Sequence, residues 1–332
     1  MQANTPTRGL DPVLPDVDMH LVPPTEPVVG RVVENTPCTR GKSASFVRHI
    51  SIDVGGTALE GGFRAGQAFG VVPPGTDSKG RPAKVRLYSI SAPSNGEDGA
   101  GKVLSTTCKR VLEEIDMKGT DPDHPDRELK HQLFTGSCSN YLCNLQEGDE
   151  VMVTGPAGKR FLLPEEPERH DYLLLATGTG IAPFRGMIKD LLEAPTPSKS
   201  DVHLVMGVPY TTDLLYDDFF RDLASSFPNF HYHTVVSREI QPDGEPGGYI
   251  HHYLDRQIHL HEDLLSRDRT LVYMCGLAGM QLGVFKMMAE RGLGDAYLKV
   301  KPDYAEVAPA EWDSHSIRKY VRPTHRCMLE VY

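Results

Sequence analysis

The chain has 332 residues, 39% of them hydrophobic and 24% charged, and a formal net charge of −10 at pH 7. That length suits two domains, each with an apolar core; the acidic balance argues against nucleic-acid binding, and no apolar run approaches the roughly 18 residues that cross a bilayer. The six cysteines form no C-x-x-C pair, so no metal or iron–sulfur centre is expected, and a disulfide framework is not expected in a chain this large.

Residues 1–38, rich in Pro and Asp, read as a flexible tail or wrapping arm. They lack a basic stretch followed by an apolar one, so a secretory signal is not expected and a cytoplasmic, reduced protein is. From 39 to 168 the chain is β-rich. "SFVRHISIDV", "KVRLYSIS", "KVLSTTCKRV" and "DEVMVTGPAG" are short runs of β-branched residues punctuated by Gly and Pro, the pattern of an antiparallel barrel. Residues 113–135 are charged and irregular, as in an exposed loop. Residues 39–110 carry 11 Lys and Arg against 5 Asp and Glu, a basic half that could steer an acidic partner.

The rhythm changes for 169–332. "DYLLLA", "HLVMGV", "FHYHTVV", "TLVYMCG" and "AYLKV" are continuous apolar runs, as parallel strands buried on both faces require. Helical stretches such as "FRGMIKDLLE" and "MQLGVFKMMAERG" lie between them. The alternation predicts a doubly wound parallel sheet. Residues 303–326, with the only Trp, show no clear element. At "LLLATGTGIAPFRG" a strand ends at Ala176, and Thr177, Gly178, Thr179 and Gly180 turn into a helix with Pro183 in its first turn. Such a turn lets backbone amides meet a pyrophosphate.

"RLYSIS", "GSCSNYL", "VTGPAGKRFLLP", "GTGIAPFRG", "MGVPYTTDLLY", "VSRE", "VYMCGLAGM" and a terminal "EVY" occur in that order. Together they resemble the plant-type ferredoxin–NADP(+) reductase family, from about residue 45 to the last. The resemblance implies an α+β protein of two domains: an antiparallel β-barrel holding FAD, then an α/β doubly wound parallel-sheet domain holding NADP(H). It also implies that hydride exchange between NADP(H) and flavin N5 is coupled to one-electron transfer with ferredoxin or flavodoxin, in a monomer. Two rivals stand beside it: a reductase component supplying a separate oxygenase ferredoxin, and a flavin electron-transfer subunit without NADP turnover of its own.

By resemblance, Arg86 pairs with a flavin phosphate, its rigid fork of donors suiting the oxygens. Leu87 and Tyr88 lie against the flavin, and Ser89 stands near N5. Lys109, Gly136, Ser137, Cys138 and Ser139 belong to the FAD site, the last four as a turn presenting amides and a hydroxyl to the pyrophosphate. Thr177, Thr179, Gly180, Ala182 and Pro183 form the nucleotide turn. Ser237 and Arg238 meet the 2′-phosphate of NADP, and Tyr249 stacks on adenine. Cys275 lines the nicotinamide position, with Gly276, Leu277 and Met280 as turn and wall. Glu330 links to the Ser89 hydroxyl and to proton movement, and Tyr332 stacks on the flavin where nicotinamide must land. Ser89, Cys275, Glu330 and Tyr332 are thus the catalytic set. Two positions depart from the pattern. Gly247 stands where a Lys or Arg contacts the 2′-phosphate, and Glu113 where a Tyr packs on the adenine of FAD. A Lys at 247 is expected to raise NADPH preference, and 303–326 to cap the active site or meet the partner.

Overall fold

The computed structural model describes residues 11–331 except 42, 77–79, 82, 116–131, 241–243 and 245, and of 113–115 and 132–134 the backbone alone. In the first lobe β1 (Val28–Pro37), β2 (Val47–Asp53), β3 (Ala68–Val72), β4 (Arg86–Ser89) and β5 (Val103–Lys109) are followed by β6 (Leu112–Ile115), β7 (Gln132–Thr135), helix α1 (Ser137–Asn144) and β8 (Glu150–Ala157). Six of these strands form a sheet in the order β4-β3-β8-β1-β2-β5, every pair antiparallel. Just beyond β4, Ile90 bridges Thr106 of β5, and the Ser91 N–H donates to Ser105 O at 2.8 Å. The two edges therefore meet and the sheet closes into the expected barrel. Val32, Ile50, Ile52, Phe69, Val71, Leu104 and Val153 fill its interior, each contributing roughly 1.5–3 kcal/mol of burial.

Two expectations for this lobe change. Residues 28–37, placed in the N-terminal tail, are a strand at the middle of the sheet, between β8 and β2. The charged alternation of "VVGRVVENTP" hid it, since a barrel strand buries only alternate residues. Ahead of it the arm is pinned: Val22 is buried and bridges Gly155, and the His20 N–H donates to Pro156 O. The ends of the predicted exposed loop pair as a β6–β7 hairpin; its middle, 116–131, lies outside the described residues.

In the second lobe β9 (Asp171–Thr177), α2 (Ile181–Leu192), β10 (Val202–Val208), α3 (Asp217–Ser226), β11 (Phe230–Val236), α4 (Ile250–Arg256), α5 (Ile258–Ser266), β12 (Thr270–Gly276) and α6 (Ala278–Glu290) alternate. The segments β13 (Leu298–Val300), α7 (Ser314–Tyr320), β14 (Val321–Pro323) and β15 (Cys327–Val331) complete it. The sheet order is β11-β10-β9-β12-β15, all parallel. Leu174, Leu204 and Met206 face α2 and α3, while Leu173, Leu175, Val205 and Met274 face α4, α5 and α6. "AYLKV", predicted as a fifth parallel strand, instead pairs β13 with β14 antiparallel; the fifth place belongs to β15. Nor does 303–326 cap the cleft. Its Trp312 is buried in the core on the α6 side, Lys286 of α6 donates to Ala310 O, and an Asp313 capping box starts α7.

Helix α2 fixes the lobes to each other. Gly186 lies so close to the segment after β4 that a Cβ would fall 2.2 Å from Ala92 O. Beside it, largely buried Arg185 donates to Ser91 O at 3.0 Å and pairs with Glu97. Asp190 accepts from the Ser94 N–H and hydroxyl at 2.8 and 2.6 Å. Burial opposes ionisation of Glu97, yet Arg185 holds it below the ordinary carboxylate range. The Tyr216 hydroxyl adds contacts to His49 Nδ1 and Thr107 Oγ1 at 2.9 and 2.6 Å.

Candidate active site

The parallel strands end on the side facing the barrel, where open α/β sheets take ligands. Two glycine turns build that edge. Gly180, at the start of α2, has no room for a side chain: a Cβ would sit 2.1 Å from Cys275 O. Gly276, closing β12, has φ 131°, and a Cβ there would meet Thr177 Oγ1 at 2.1 Å. The Thr177 hydroxyl instead accepts the Leu277 N–H at 2.8 Å. The two turns are thus held together by close backbone approach and by the Thr177 hydroxyl, with Leu277 standing out at 60% exposure. Ala182, Pro183 and Met280 are buried behind them as wall.

Opposite lies β4. Arg86 and Leu87 are exposed, Leu87 at 62%, and Tyr88 and Ser89 are half-buried. Among the described residues Arg86 pairs with no carboxylate. Tyr88 packs 6.4 Å from the Phe69 ring and touches Cys138, and burial pushes its hydroxyl well above the ordinary range. Next to this strand Gly136 leads into α1. Ser137 is exposed at the helix start, while Cys138 and Ser139 are buried. The Ser139 hydroxyl is already engaged, accepting from the Val111 N–H at 3.2 Å and facing Gly136 O at 3.3 Å. Ser139 therefore shapes the turn, and Ser137 with the first amides of α1 is the part that faces outward. Lys109 ends β5, exposed.

The lobes also meet at the end of the sheet, where the catalytic candidates lie. Glu330 of β15 lies in register with Cys275 of β12 and close enough to the Ser89 side chain, across the junction, to feel its pull. Burial lifts Glu330 to about 7 from the usual 4.5, against the pull of Ser89. Burial and the Glu330 carboxylate both push the Cys275 thiol up, so it stays neutral. Thr106 Oγ1 donates to Ser89 O at 2.8 Å and fixes the strand. Three of the four catalytic candidates are thus brought together; the fourth, Tyr332, lies outside the described residues.

At the outer end of the same sheet edge, Ser237 and Arg238 follow β11, their N–H groups held by Val208 O and Pro209 O. Arg238 is exposed over the Tyr210 ring at 5.9 Å. The segment 247–249 lies against them: the Gly248 N–H donates to Val236 O, and exposed Tyr249 is parallel to His251 at 5.9 Å. A Cβ on Gly247 would come within 2.7 Å of the Ser237 backbone. Position 247 therefore suits glycine because the two segments touch, and a Lys there would have to displace backbone before it could reach a phosphate. Sequence reasoning also missed Arg256. Its guanidinium approaches Gly248 to 3.4 Å of the ideal Cβ position, a proximity that one turn of α4 creates and no linear motif displays. Glu113 has its backbone in β6; its side chain lies outside the described part.

The edge fits its two expected occupants. An arginine with no carboxylate partner among the described residues, a helix start and an uncovered leucine line the barrel side, and a double turn with glycines at its closest approach lines the sheet side.

The comparisons agree with this geometry. A model of the oxidoreductase NAD-binding domain matches residues 174–286. The ferredoxin–NADP reductase of Synechocystis sp. is 34% identical over 322 residues, which cover 96% of this chain and 70% of that protein. The reductase of Spirulina sp. is 32% identical over 96% of this chain and 99% of its own length. The chloroplastic leaf isozyme 1 of Arabidopsis thaliana is 35% identical over 82% and 72%. Among solved structures, the ferredoxin–NADP+ reductase of Plasmodium falciparum with 2′P-AMP shares the fold at TM-score 0.65 and 19% identity, covering 93% of this chain and 97% of that one. With its barrel, its parallel sheet and a junction built from both, the chain belongs to the ferredoxin–NADP reductase family.

Proposed function

We propose that this protein exchanges reducing equivalents between NADP(H) and a one-electron carrier, ferredoxin or flavodoxin, through FAD held at the lobe junction. The observation that carries the reading is the meeting of buried Glu330 with Ser89 beside Cys275, where the barrel strand β4 comes up against the sheet strands β12 and β15. Bound FAD would supply the conversion between two-electron and one-electron chemistry that a pyridine nucleotide lacks.

This chain's residues do the rest. Arg86, Leu87, Tyr88, Ser137 and the amides at the start of α1 hold the flavin side. The Thr177, Gly180 and Gly276 turns, with Ser237, Arg238 and Tyr249, hold the nucleotide. Lobes fixed by α2 set donor and acceptor at constant separation, and that positioning is the main catalytic contribution. The Ser89 hydroxyl can donate to ionised Glu330; when Glu330 takes a proton, it becomes a donor itself. The pair can therefore pass one proton at the Ser89 Oγ position. Cys275, a neutral thiol, shapes the nicotinamide wall and attacks nothing. The family resemblance gives Tyr332, outside the described residues, the flavin face that the nucleotide must reach. Exposed Arg64, Lys84 and Lys102 on the barrel side give an acidic carrier a docking field. Six free cysteines fit a reducing, cytoplasm-like compartment, and one copy of the chain holds the whole junction, so a monomer suffices.

The test is anaerobic stopped-flow mixing with NADPH and with NADH, followed at the flavin absorbance band, then with ferredoxin or flavodoxin added. Rapid bleaching by NADPH and salt-sensitive reoxidation by the carrier are expected. A polypeptide that takes up no FAD, or that NADPH leaves oxidised, would overturn the reading. Reduction without reoxidation by either carrier would remove the carrier assignment.

A further inference from the structure

The opposite edge of the parallel sheet carries a second cluster. Asp201-x-His203 opens β10 and His231-x-His233 opens β11. Alternate strand residues share a face, and β10 pairs with β11 so that His203 stands beside His231, their ring centroids 4.3 Å apart. The two Nε2 atoms converge on one oxygen: Asp201 Oδ1 lies 3.3 Å from that of His203 and 3.1 Å from that of His231. All three ligand atoms are within 4.8 Å of one another. A tetrahedral ion with bonds of about 2.1 Å places its ligands about 3.4 Å apart, close to both nitrogen–oxygen separations.

The surroundings hold this arrangement and leave it a negative charge. Arg267 Nη1 fixes Asp201 Oδ2 at 2.9 Å, which aims Oδ1 at the imidazoles. Arg267 also pairs with Asp171 and Asp263, and Arg269 with Asp171. Among the described residues the three carboxylates of Asp171, Asp201 and Asp263 thus share two guanidiniums, those of Arg267 and Arg269, leaving one carboxylate charge over. Behind His203, which is 8% exposed, His261 is fully buried at 5.5 Å between rings, and among the described residues neither of its nitrogens has a hydrogen-bond partner. Asp201 and His231 are partly open to solvent, which gives an ion its way in.

We propose that Asp201, His203 and His231 bind one late first-row divalent cation of the zinc class, with water in the remaining position. Two imidazoles and one carboxylate are a donor set such ions take readily. The site lies at the strand starts and the nucleotide turns at the strand ends, about 20 Å away along seven-residue strands. The ion ties β10 to β11 and takes no part in turnover. No C-x-x-C or H-x-x-x-H spacing announces it, because the ligands come from two strands joined only by register.

Untagged, flavin-loaded protein titrated with Zn²⁺ in a calorimeter should bind one ion per chain and melt several degrees higher with metal present. His231→Ala should lose both effects while keeping its flavin content and its NADPH-to-ferricyanide rate; His325→Ala should keep both. No binding to wild type at hundreds of micromolar zinc would overturn the proposal. So would a His231→Ala protein that retains the stoichiometry and the shift.

Discussion

Glu330 shows how a single side chain carries both a cost and a use. Its folded value of about 7 stands above the ordinary 4.5, chiefly because it is buried. Ionisation therefore opposes folding: its contribution is intact below about pH 4.5 and is lost as pH rises to about 7. Turnover that needs the proton should show a titration near neutrality. Glu330→Gln should abolish that inflection in a kcat–pH profile and lower kcat by roughly 10²-fold; an inflection that persists would assign it elsewhere. Gly247 is the second residue-scale case. Substituting Lys should destabilise the protein by about 1–3 kcal/mol in a denaturant melt, because the side chain begins 2.7 Å from the Ser237 backbone. NADPH selectivity should rest instead on Arg238 and Arg256. Arg256→Ala should lower the NADPH/NADH ratio of kcat/KM about tenfold or more, as loss of one charge-assisted contact does.

At the scale of elements, the glycine turns decide where a nucleotide can lie. Gly276→Ala places a Cβ at φ 131° against Thr177 Oγ1, which costs about 2 kcal/mol of strain or a shifted turn. KM for NADPH should rise while flavin content stays at wild-type level, since the barrel is untouched. The buried strands were legible because parallel strands covered on both faces are apolar throughout, as "DYLLLA" and "TLVYMCG" are. β1 was not, since half its residues face water. "AYLKV" misled for the complementary reason: an apolar run does not say which sheet it joins, and β13 found a partner in β14. Within the site, the motifs marked Ser89, Cys275 and Glu330. The lock between Thr177 and Leu277, the packing of Gly247 and the approach of Arg256 arise from tertiary contact, and no linear spacing encodes them.

For the whole molecule, function rests on two lobes that do not drift apart. The Arg185–Glu97 pair sits largely buried in that junction, where removing one partner leaves a charge uncompensated. Arg185→Met should therefore cost about 3–5 kcal/mol and, followed by tryptophan fluorescence and flavin release together, separate the unfolding of the two lobes. Arg185→Met combined with Glu97→Leu should recover much of that loss. A single coincident transition in both variants would show that α2 packing alone couples the lobes.

The order in which the strands find one another has a kinetic corollary. Tyr172 meets Val202 across a short helical crossover, but Asp171 meets Thr270 only after three further helices have been laid down. Closing the longer loop is entropically slower. The half of the sheet bearing the histidines should therefore consolidate first during refolding, and the half that abuts the barrel last. Recovery of secondary structure would then precede recovery of pyridine-nucleotide affinity, and a partly matured population would be compact yet catalytically silent.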